Sequence, residues 1–106
     1  MSYEYFVQIP DHPNALDKRL AARPTHLANL KPHIDSGKVV FGGATLSRQP
    51  NDGEAPDMTG SAMLIKADSV EEVKQFLEND AYTKGGAWDP SKAVITPFRC
   101  AVRTAL

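Results

Sequence analysis

One imidazole and one carboxylate are the best candidates for acid–base chemistry in this chain: His26, in the first third of the sequence, and Asp80, in the last third. An imidazole can gain or lose a proton near neutral pH, and a carboxylate beside it fixes its orientation and supports its charged form. We therefore predict that these two side chains meet and form a catalytic pair. The alternative interpretation makes His26 a partly exposed residue at a helix edge and Asp80 a turn residue at a helix end.

Two arginines precede His26 at a spacing of one helical turn. Arg19 and Arg23 would lie on the same side of a helix, where together they could bind a carboxylate, phenolate or phosphate group. We treat both as candidate substrate-binding residues. The alternative is a solvated helix flank with local ion pairs, for instance to Asp17 or Asp35.

Nothing in the sequence favours a metal ion or another cofactor. His26 and His33 are seven residues apart, which is about 10.5 Å along a helix axis and too far for one ion. Neither diglycine in the chain has the spacing of a phosphate-binding loop or a dinucleotide fingerprint. Cys100 lies in an apolar stretch, and we interpret it as a small core residue rather than a nucleophile.

Length and charge narrow the class of protein. The 106 residues are enough for one domain over residues 1–106 with a single two-layer core. A formal net charge of −1, with scattered basic residues, gives no general attraction to nucleic acid or to an anionic membrane. One cysteine, no signal-peptide pattern and no run of about 20 apolar residues favour a cytoplasmic location.

Apolar periodicity predicts six main elements in the order β-α-β-β-α-β. They are a strand over 3–9, a helix that starts at 13 or 14 and stops at Gly37, strands over 39–46 and 61–67, a helix from the capping residue Ser69 to about Asp80, and a strand from 94 to 102 that continues past Pro97. This order is the ferredoxin-like arrangement of the α+β class, a four-stranded antiparallel sheet with both helices on one face. The apolar run in the third strand predicts a central position, and Pro97 predicts either an edge position for the fourth strand or a bulge near that proline.

Two features of these elements bear on a site. The first helix carries an apolar stripe that we expect to pack, and its members are Leu16, Leu20, Leu27, Leu30 and Ile34. Pro24 removes one backbone hydrogen bond and its ring crowds the carbonyl of the preceding turn, so we expect a kink or two abutting helices there. The pair Gly42-Gly43 in the second strand predicts a bulge or the close approach of another backbone or a ligand.

The face of the sheet away from the helices needs cover. Phe6, Val40, Met63 and Ile65 are apolar candidates for one face or the other, and a homodimer that packs sheet against sheet would cover such residues. RNA-binding ferredoxin-like domains display aromatic residues on their central strands, whereas residues 61–66 contain none. We therefore predict a homodimer and no nucleic-acid partner.

Several short segments, in their order along the chain, resemble the YCII-related (YciI-like) family of small dimeric α+β barrels. They are Arg23-Pro24-Thr25-His26-Leu27, the segment from Gly37 to Gly43, Gly60-Ser61, and Asp80-Ala81-Tyr82 followed by Gly85 and Trp88. The resemblance implies a cleft in which a histidine of the first helix faces an aspartate of an Asp-Pro-Tyr segment, and the matching residues are His26 and Asp80. Ala81 departs from the pattern, because proline is usual there.

The resemblance also implies chemistry on small, often aromatic or polyketide-like molecules, and one branch of the family resembles dehydrochlorinases of chlorinated hydroxyquinols. The hypothesis is a cofactor-independent lyase or isomerase in which His26 moves a proton and Asp80 orients the imidazole. One of the two arginines would bind an anionic group of the substrate, and Tyr82 and Trp88 would form an apolar wall. The alternatives are a non-catalytic module that binds a small ligand or another protein through the same cleft, and a site that has lost its activity.

Overall fold

A computed structural model describes residues 2–105; Met1 and Leu106, the two ends of the predicted domain, lie outside the described residues. The main elements follow one another in the predicted order, with a short extra helix before the last strand. They are β1 Tyr3–Pro10, α1 Leu16–Asp35, β2 Val39–Leu46, β3 Met58–Ala67, α2 Val70–Glu78, α3 Ala81–Lys84 and β4 Val94–Phe98, with a 3₁₀ turn at Pro90–Lys92 between α3 and β4.

The four strands form one antiparallel sheet in the order β2-β3-β1-β4. β3 is therefore a central strand and β4 an edge strand, as the apolar run in the first and the proline in the second predict. β3 starts at Met58, earlier than the predicted start at Ser61. The sheet and the two main helices together form the ferredoxin-like α+β fold.

Alternation along the central strands places the core between the sheet and the helices. Alternate residues of β1 are buried on the helix side, and the register with β3 places buried residues of that strand beside them. The second helix, α3 and the segment after it complete this layer. Its buried members are Tyr5, Val7, Ile9, Met63, Ile65, Ala67, Val73, Leu77, Tyr82, Ala87 and Trp88.

The prediction that the leucine stripe of α1 packs into the core is wrong. Three of its members are about half exposed: Leu20 at 48%, Leu27 at 46% and Ile34 at 52%. The residues that α1 buries are instead Arg19 and His26, whose polar groups find partners in other elements. A buried polar group without a hydrogen bond costs more than an apolar side chain left half exposed, so the helix faces those partners.

The first helix runs without a break through Pro24 and Pro32, so the prediction of two abutting helices at Pro24 is wrong. Both prolines are exposed. The carbonyl groups that lose an intrahelical partner therefore lie on the solvent side, where water can bond them.

The last strand ends at Phe98, and its predicted continuation to residue 102 is wrong. Val102 is 85% exposed, and Cys100 is not a core residue, because its thiol contacts the Val102 carbonyl and Arg103 near the surface. The chain turns instead toward the start of β1. There Glu4 accepts hydrogen bonds from the backbone N–H of Cys100 and the guanidinium of Arg103.

Candidate active site

The imidazole of His26 and the carboxylate of Asp80 lie in contact. His26 is on α1, and Asp80 follows α2 at the position that caps α3. Asp80 Oδ2 lies 2.7 Å from His26 Nδ1 and also accepts a hydrogen bond of 2.8 Å from the backbone N–H of Tyr82. Because this oxygen already acts as an acceptor at the helix cap, Nδ1 is the donor to it. The other ring nitrogen, Nε2, has no hydrogen-bond partner among residues 2–105.

Two aromatic rings hold the imidazole in place. The rings of His26 and Tyr82 are stacked, with centroids 3.9 Å apart and planes at 17°. Trp88 meets the imidazole edge-on, with centroids 5.6 Å apart. Both aromatic residues are buried, so the histidine can rotate little and keeps Nδ1 on Asp80.

A buried hydrogen-bonded network surrounds Arg19. Its Nη1 donates to Asp11 Oδ1 at 2.9 Å, and its Nη2 donates to Ser61 Oγ at 2.8 Å. Trp88 Nε1 donates to the same Ser61 oxygen at 3.1 Å. These four residues come from four separate parts of the chain, and a backbone bridge between Asp11 and Trp88 ties two of those parts together.

The network is not fully satisfied within the described residues. Asp11 Oδ2 and Arg19 Nε are buried without a hydrogen-bond partner. Burial raises the pKa of the Asp11 carboxyl above its usual range, and the adjacent Arg19 guanidinium offsets only part of that effect. The Asp11–Arg19 pair is therefore a costly feature for the folded state to keep, as a structural ion pair at a site can be.

An apolar cavity of about 350 Å³ lies between α1 and β2, next to these polar groups. The predicted site residues that line it are Arg19, Arg23, His26, Tyr82 and Trp88, together with Ser61. The rest of its lining is apolar and is formed by Leu27, Leu30, Ile34, Val39, Val40, Phe41, Gly42, Gly43, Ala44, Met58 and Met63. A volume of this size suits a molecule of one or two rings.

The predicted bulge at Gly42-Gly43 lies instead on either side of that pair. The β2–β3 register shifts between Val39 and Phe41 and again between Thr45 and Leu46, whereas the two glycines pair regularly. The glycines line the cavity. Because these two residues have no side chains, β2 leaves room for a ligand beside the sheet. This agrees with the other interpretation of Gly42-Gly43, the close approach of a ligand.

The two arginines differ in what they can still bind. Arg19 is 3% exposed and uses both terminal nitrogens within the protein. Arg23 is exposed at the cavity and makes no hydrogen bond or ion pair with any residue between 2 and 105. The solvated-flank alternative is wrong for Arg19, whose ion-pair partner is the buried Asp11 rather than Asp17.

Sequence reasoning missed two residues of the site, Asp11 and Ser61. Gly60-Ser61 is part of the family pattern, but no role follows from that pattern alone. Asp11 stands between prolines in a loop and gives no local signal. Both residues became recognisable only through their contacts with Arg19.

The other two histidines lie away from the cavity lining. His12 Nδ1 is 3.8 Å from Asp89 Oδ2, and the ring of His33 contacts Phe76 edge-on. Within residues 2–105, no three His, Cys, Asp or Glu side chains are grouped so that they could hold a metal ion. In the same range, no helix has the length and apolar character needed to span a membrane.

Fold and site together define a class of protein, a ferredoxin-like domain with a hydrogen-bonded histidine and aspartate beside an apolar cavity. The chain belongs to the YCII-related family, whose domain model matches residues 3–98.

Two relatives and one solved structure show this similarity along most of the chain. The fusaric acid biosynthesis protein 2 of Gibberella fujikuroi is 38% identical over 96 residues, which are 91% of this chain and 92% of that protein. Protein YciI of Escherichia coli is 30% identical over 95 residues, 90% of this chain and 95% of that protein. The structure of the 5-chloro-2-hydroxyhydroquinone dehydrochlorinase TftG of Burkholderia phenoliruptrix, in complex with 2,5-dihydroxybenzoquinone, has a TM-score of 0.77 at 31% identity and covers 92% of this chain and 95% of that one.

Proposed function

We propose that this protein is a small-molecule enzyme of the lyase or isomerase type, which moves a proton on an aromatic or polyketide-like substrate without a cofactor. One observation carries the proposal: His26 lines an apolar cavity while its Nδ1 is held by Asp80 at 2.7 Å. An imidazole oriented in this way has one nitrogen left for a bound molecule, which is the arrangement of a general acid–base catalyst.

The proton transfer would run through His26 Nε2. As base, Nε2 takes a proton from carbon, and Asp80 stabilises the imidazolium that forms. In a lyase step the electron pair of the broken C–H bond forms a C=C bond. The leaving group on the neighbouring carbon then departs with its bonding pair, as chloride in a dehydrochlorination or, after the imidazolium has protonated the hydroxyl group, as water in a dehydration. In an isomerase step the imidazolium returns the proton to another carbon.

Arg23 is the better candidate for an anionic group of the substrate. Its guanidinium has no ion-pair partner between residues 2 and 105 and lies at the cavity, whereas the terminal nitrogens of Arg19 already donate to Asp11 and Ser61. A free guanidinium can bind a carboxylate or phenolate through two parallel hydrogen bonds. Tyr82 and Trp88 would form the wall against which a flat ring packs.

Similarity to other proteins supports the same class of activity. The fusaric acid biosynthesis protein and the dehydrochlorinase TftG are named for small-molecule metabolism, and TftG was solved with a single-ring quinone. A shared fold restricts the range of possible substrates less than the residues that line the site do. We therefore propose single-ring phenols and quinones as the first compounds to test.

The test is to incubate the protein with a panel of single-ring phenols and quinones that includes 5-chloro-2-hydroxyhydroquinone. Turnover is measured from the release of chloride and from the absorbance of the quinone product. His26→Gln and Asp80→Asn should each lower turnover about 100- to 10,000-fold, which is the usual contribution of a positioned acid–base group. Both variants should remain folded by circular dichroism, because asparagine is also a good helix cap and glutamine fills a similar volume.

A second histidine–aspartate pair offers matched controls. His12 and Asp89 lie 3.8 Å apart away from the cavity lining, so His12→Gln and Asp89→Asn should leave turnover unchanged. Wild-type turnover in His26→Gln would contradict the proposal. Saturable binding of panel compounds by the wild-type protein, with no conversion of any of them, would favour the non-catalytic binding module instead.

A further inference from the structure

The oxygen of Ser61 has no free lone pair. It accepts one hydrogen bond from Arg19 Nη2 at 2.8 Å and one from Trp88 Nε1 at 3.1 Å. Guanidinium and indole N–H groups can only donate, so both bonds use lone pairs of the hydroxyl oxygen. A hydroxyl has two lone pairs and one proton. The only hydrogen-bonding capacity that remains on Ser61 is therefore donation of its own proton.

No residue between 2 and 105 accepts that proton. Ser61 is 5% exposed, so bulk water is not an adequate partner, and its side chain lines the cavity beside His26. A buried donor without an acceptor is costly unless another molecule supplies one. The acceptor has to come from whatever occupies the cavity.

The donor is stronger than an ordinary serine hydroxyl. One of the two groups that bond its oxygen is the positively charged guanidinium of Arg19, which is itself 3% exposed. Electron density drawn toward Arg19 and Trp88 polarises the O–H bond, and hydrogen bonds in such a chain strengthen one another. A polarised donor in a site with little water interacts best with an acceptor that carries negative charge.

We propose that Ser61 is a substrate-binding residue that donates a hydrogen bond to an oxyanion, either a phenolate or the enolate oxygen that forms when His26 removes a proton. Arg19 and Trp88 are positioning residues that fix the serine hydroxyl. The substrate class is then narrower than an aromatic molecule alone: it carries an ionisable or carbonyl oxygen conjugated with the carbon that loses the proton. This proposal rests on the proposed function for the location of the site.

Binding of two simple probes tests the inference without requiring the natural substrate. Both 4-nitrophenolate and nitrobenzene are single-ring molecules of a size that the cavity can hold, and only the first has an oxyanion. Ser61→Ala should weaken binding of 4-nitrophenolate about 10- to 100-fold, as expected for a hydrogen bond to a charged group. It should leave binding of nitrobenzene unchanged. The change in absorbance of 4-nitrophenolate on binding measures its affinity. Competition by nitrobenzene for the bound phenolate measures the affinity of nitrobenzene.

Matched variants separate binding from structure. Ser61→Thr keeps a hydroxyl and should retain the preference for the phenolate, and Ser47→Ala, in an exposed loop, should change neither affinity. If Ser61→Ala does not fold, Ser61→Cys, which fills the site with a weak donor, serves for the same comparison. Equal weakening of both probes by the variant, or no weakening of either, would overturn the role of Ser61 while leaving a cavity that binds rings. A wild-type protein that binds neither probe would overturn the proposed function as well.

Discussion

The phenol ring of Tyr82 lies against the imidazole of His26, and the guanidinium carbon of Arg19 is 4.7 Å from its centroid. Burial raises the pKa of the Tyr82 hydroxyl above its ordinary value, although Arg19 and Arg23 act in the opposite direction. The un-ionised phenol is therefore the form that the folded protein favours. Because the phenol is uncharged, Tyr82 adds no negative charge beside the imidazole. The carboxylate of Asp80 is the group that supports the charged form of His26.

Tyr82 should give a distinct signal at high pH. The contribution of its raised pKa to stability is complete below pH about 10 and is lost as the pH rises through the value in the folded protein. Ultraviolet titration should show a tyrosine ionisation above pH about 10 that Tyr82→Phe removes. The same variant should lose less stability than the wild-type protein at alkaline pH.

The matched control for this titration is Tyr3→Phe, because Tyr3 is 53% exposed and lies outside the site. It should leave the high-pH step in place. A Tyr82→Phe protein that keeps the step would show that burial does not act on this hydroxyl as described.

At the scale of residues, the sequence could predict the contact between His26 and Asp80, because residue type, helix order and the family pattern all indicate it. Ser61 could not be predicted in the same way. Its importance depends on which two donors reach its oxygen, and one of them, Trp88, is far away in the chain. Long-range pairing of this kind leaves no local pattern.

At the scale of elements, the close packing of β3 against β1 depends on Gly60. A Cβ atom on Gly60 would lie 2.9 Å from Pro10 Cα and closer still to the carbonyl oxygen of Ile9. Only glycine allows β3 to approach β1 so closely just before Ser61. The place of the serine hydroxyl relative to Arg19 therefore depends on its neighbour in the sequence.

Gly60→Ala should destabilise the protein by about 1–3 kcal/mol, because the added methyl group meets backbone rather than a flexible side chain. Denaturant unfolding measures the change. Gly43→Ala is the matched control in the same sheet, since nothing lies within 4 Å of a Cβ atom at that position. Equal stability of the Gly60 variant and the wild-type protein would contradict the close approach of the two strands.

The elements also show where periodicity fails as a guide. β1 and α2 follow their apolar patterns, and Ser69 caps α2 through the N–H of Glu72 as the capping box predicts. The first helix does not, because Arg19 and His26 compete with the leucines for the inner side. The hydrogen-bond partners of Arg19 and His26 lie in β3, in the loop after β1 and at the start of α3. The sequence of α1 alone therefore cannot show which of its residues are buried.

At the scale of the whole molecule, the order of strands and helices is enough to predict the ferredoxin-like fold, since few chain paths join four antiparallel strands to two helices on one face. The order does not determine what covers the second face of the sheet. Strand register places Phe6, Phe41, Leu64, Val94 and Phe98 on that face. Three of them are about half exposed: Phe41 at 49%, Val94 at 56% and Phe98 at 45%.

We predict that a second copy of the chain covers this face and that the protein is a homodimer. Aromatic and β-branched side chains concentrated on one sheet face are typical of a surface that packs against its own copy. Sedimentation analysis should find a dimer at micromolar concentration, and Val94→Glu should shift it to a monomer, because the charge would be buried without a partner.

Leu20→Glu is the control for the dimer. Leu20 is 48% exposed on α1, on the other side of the sheet, so this variant should remain dimeric. A wild-type protein that sediments as a monomer at micromolar concentration would contradict the prediction.

The lining of the cavity combines hydrogen-bonded polar groups with aliphatic residues, glycines and Phe41. The apolar lining residues could be exchanged for larger or smaller ones without breaking any hydrogen bond among His26, Asp80, Arg19 and Ser61. Natural selection could therefore adapt the protein to molecules of a different shape by changing the volume of the apolar lining alone, with the reacting groups left as they are.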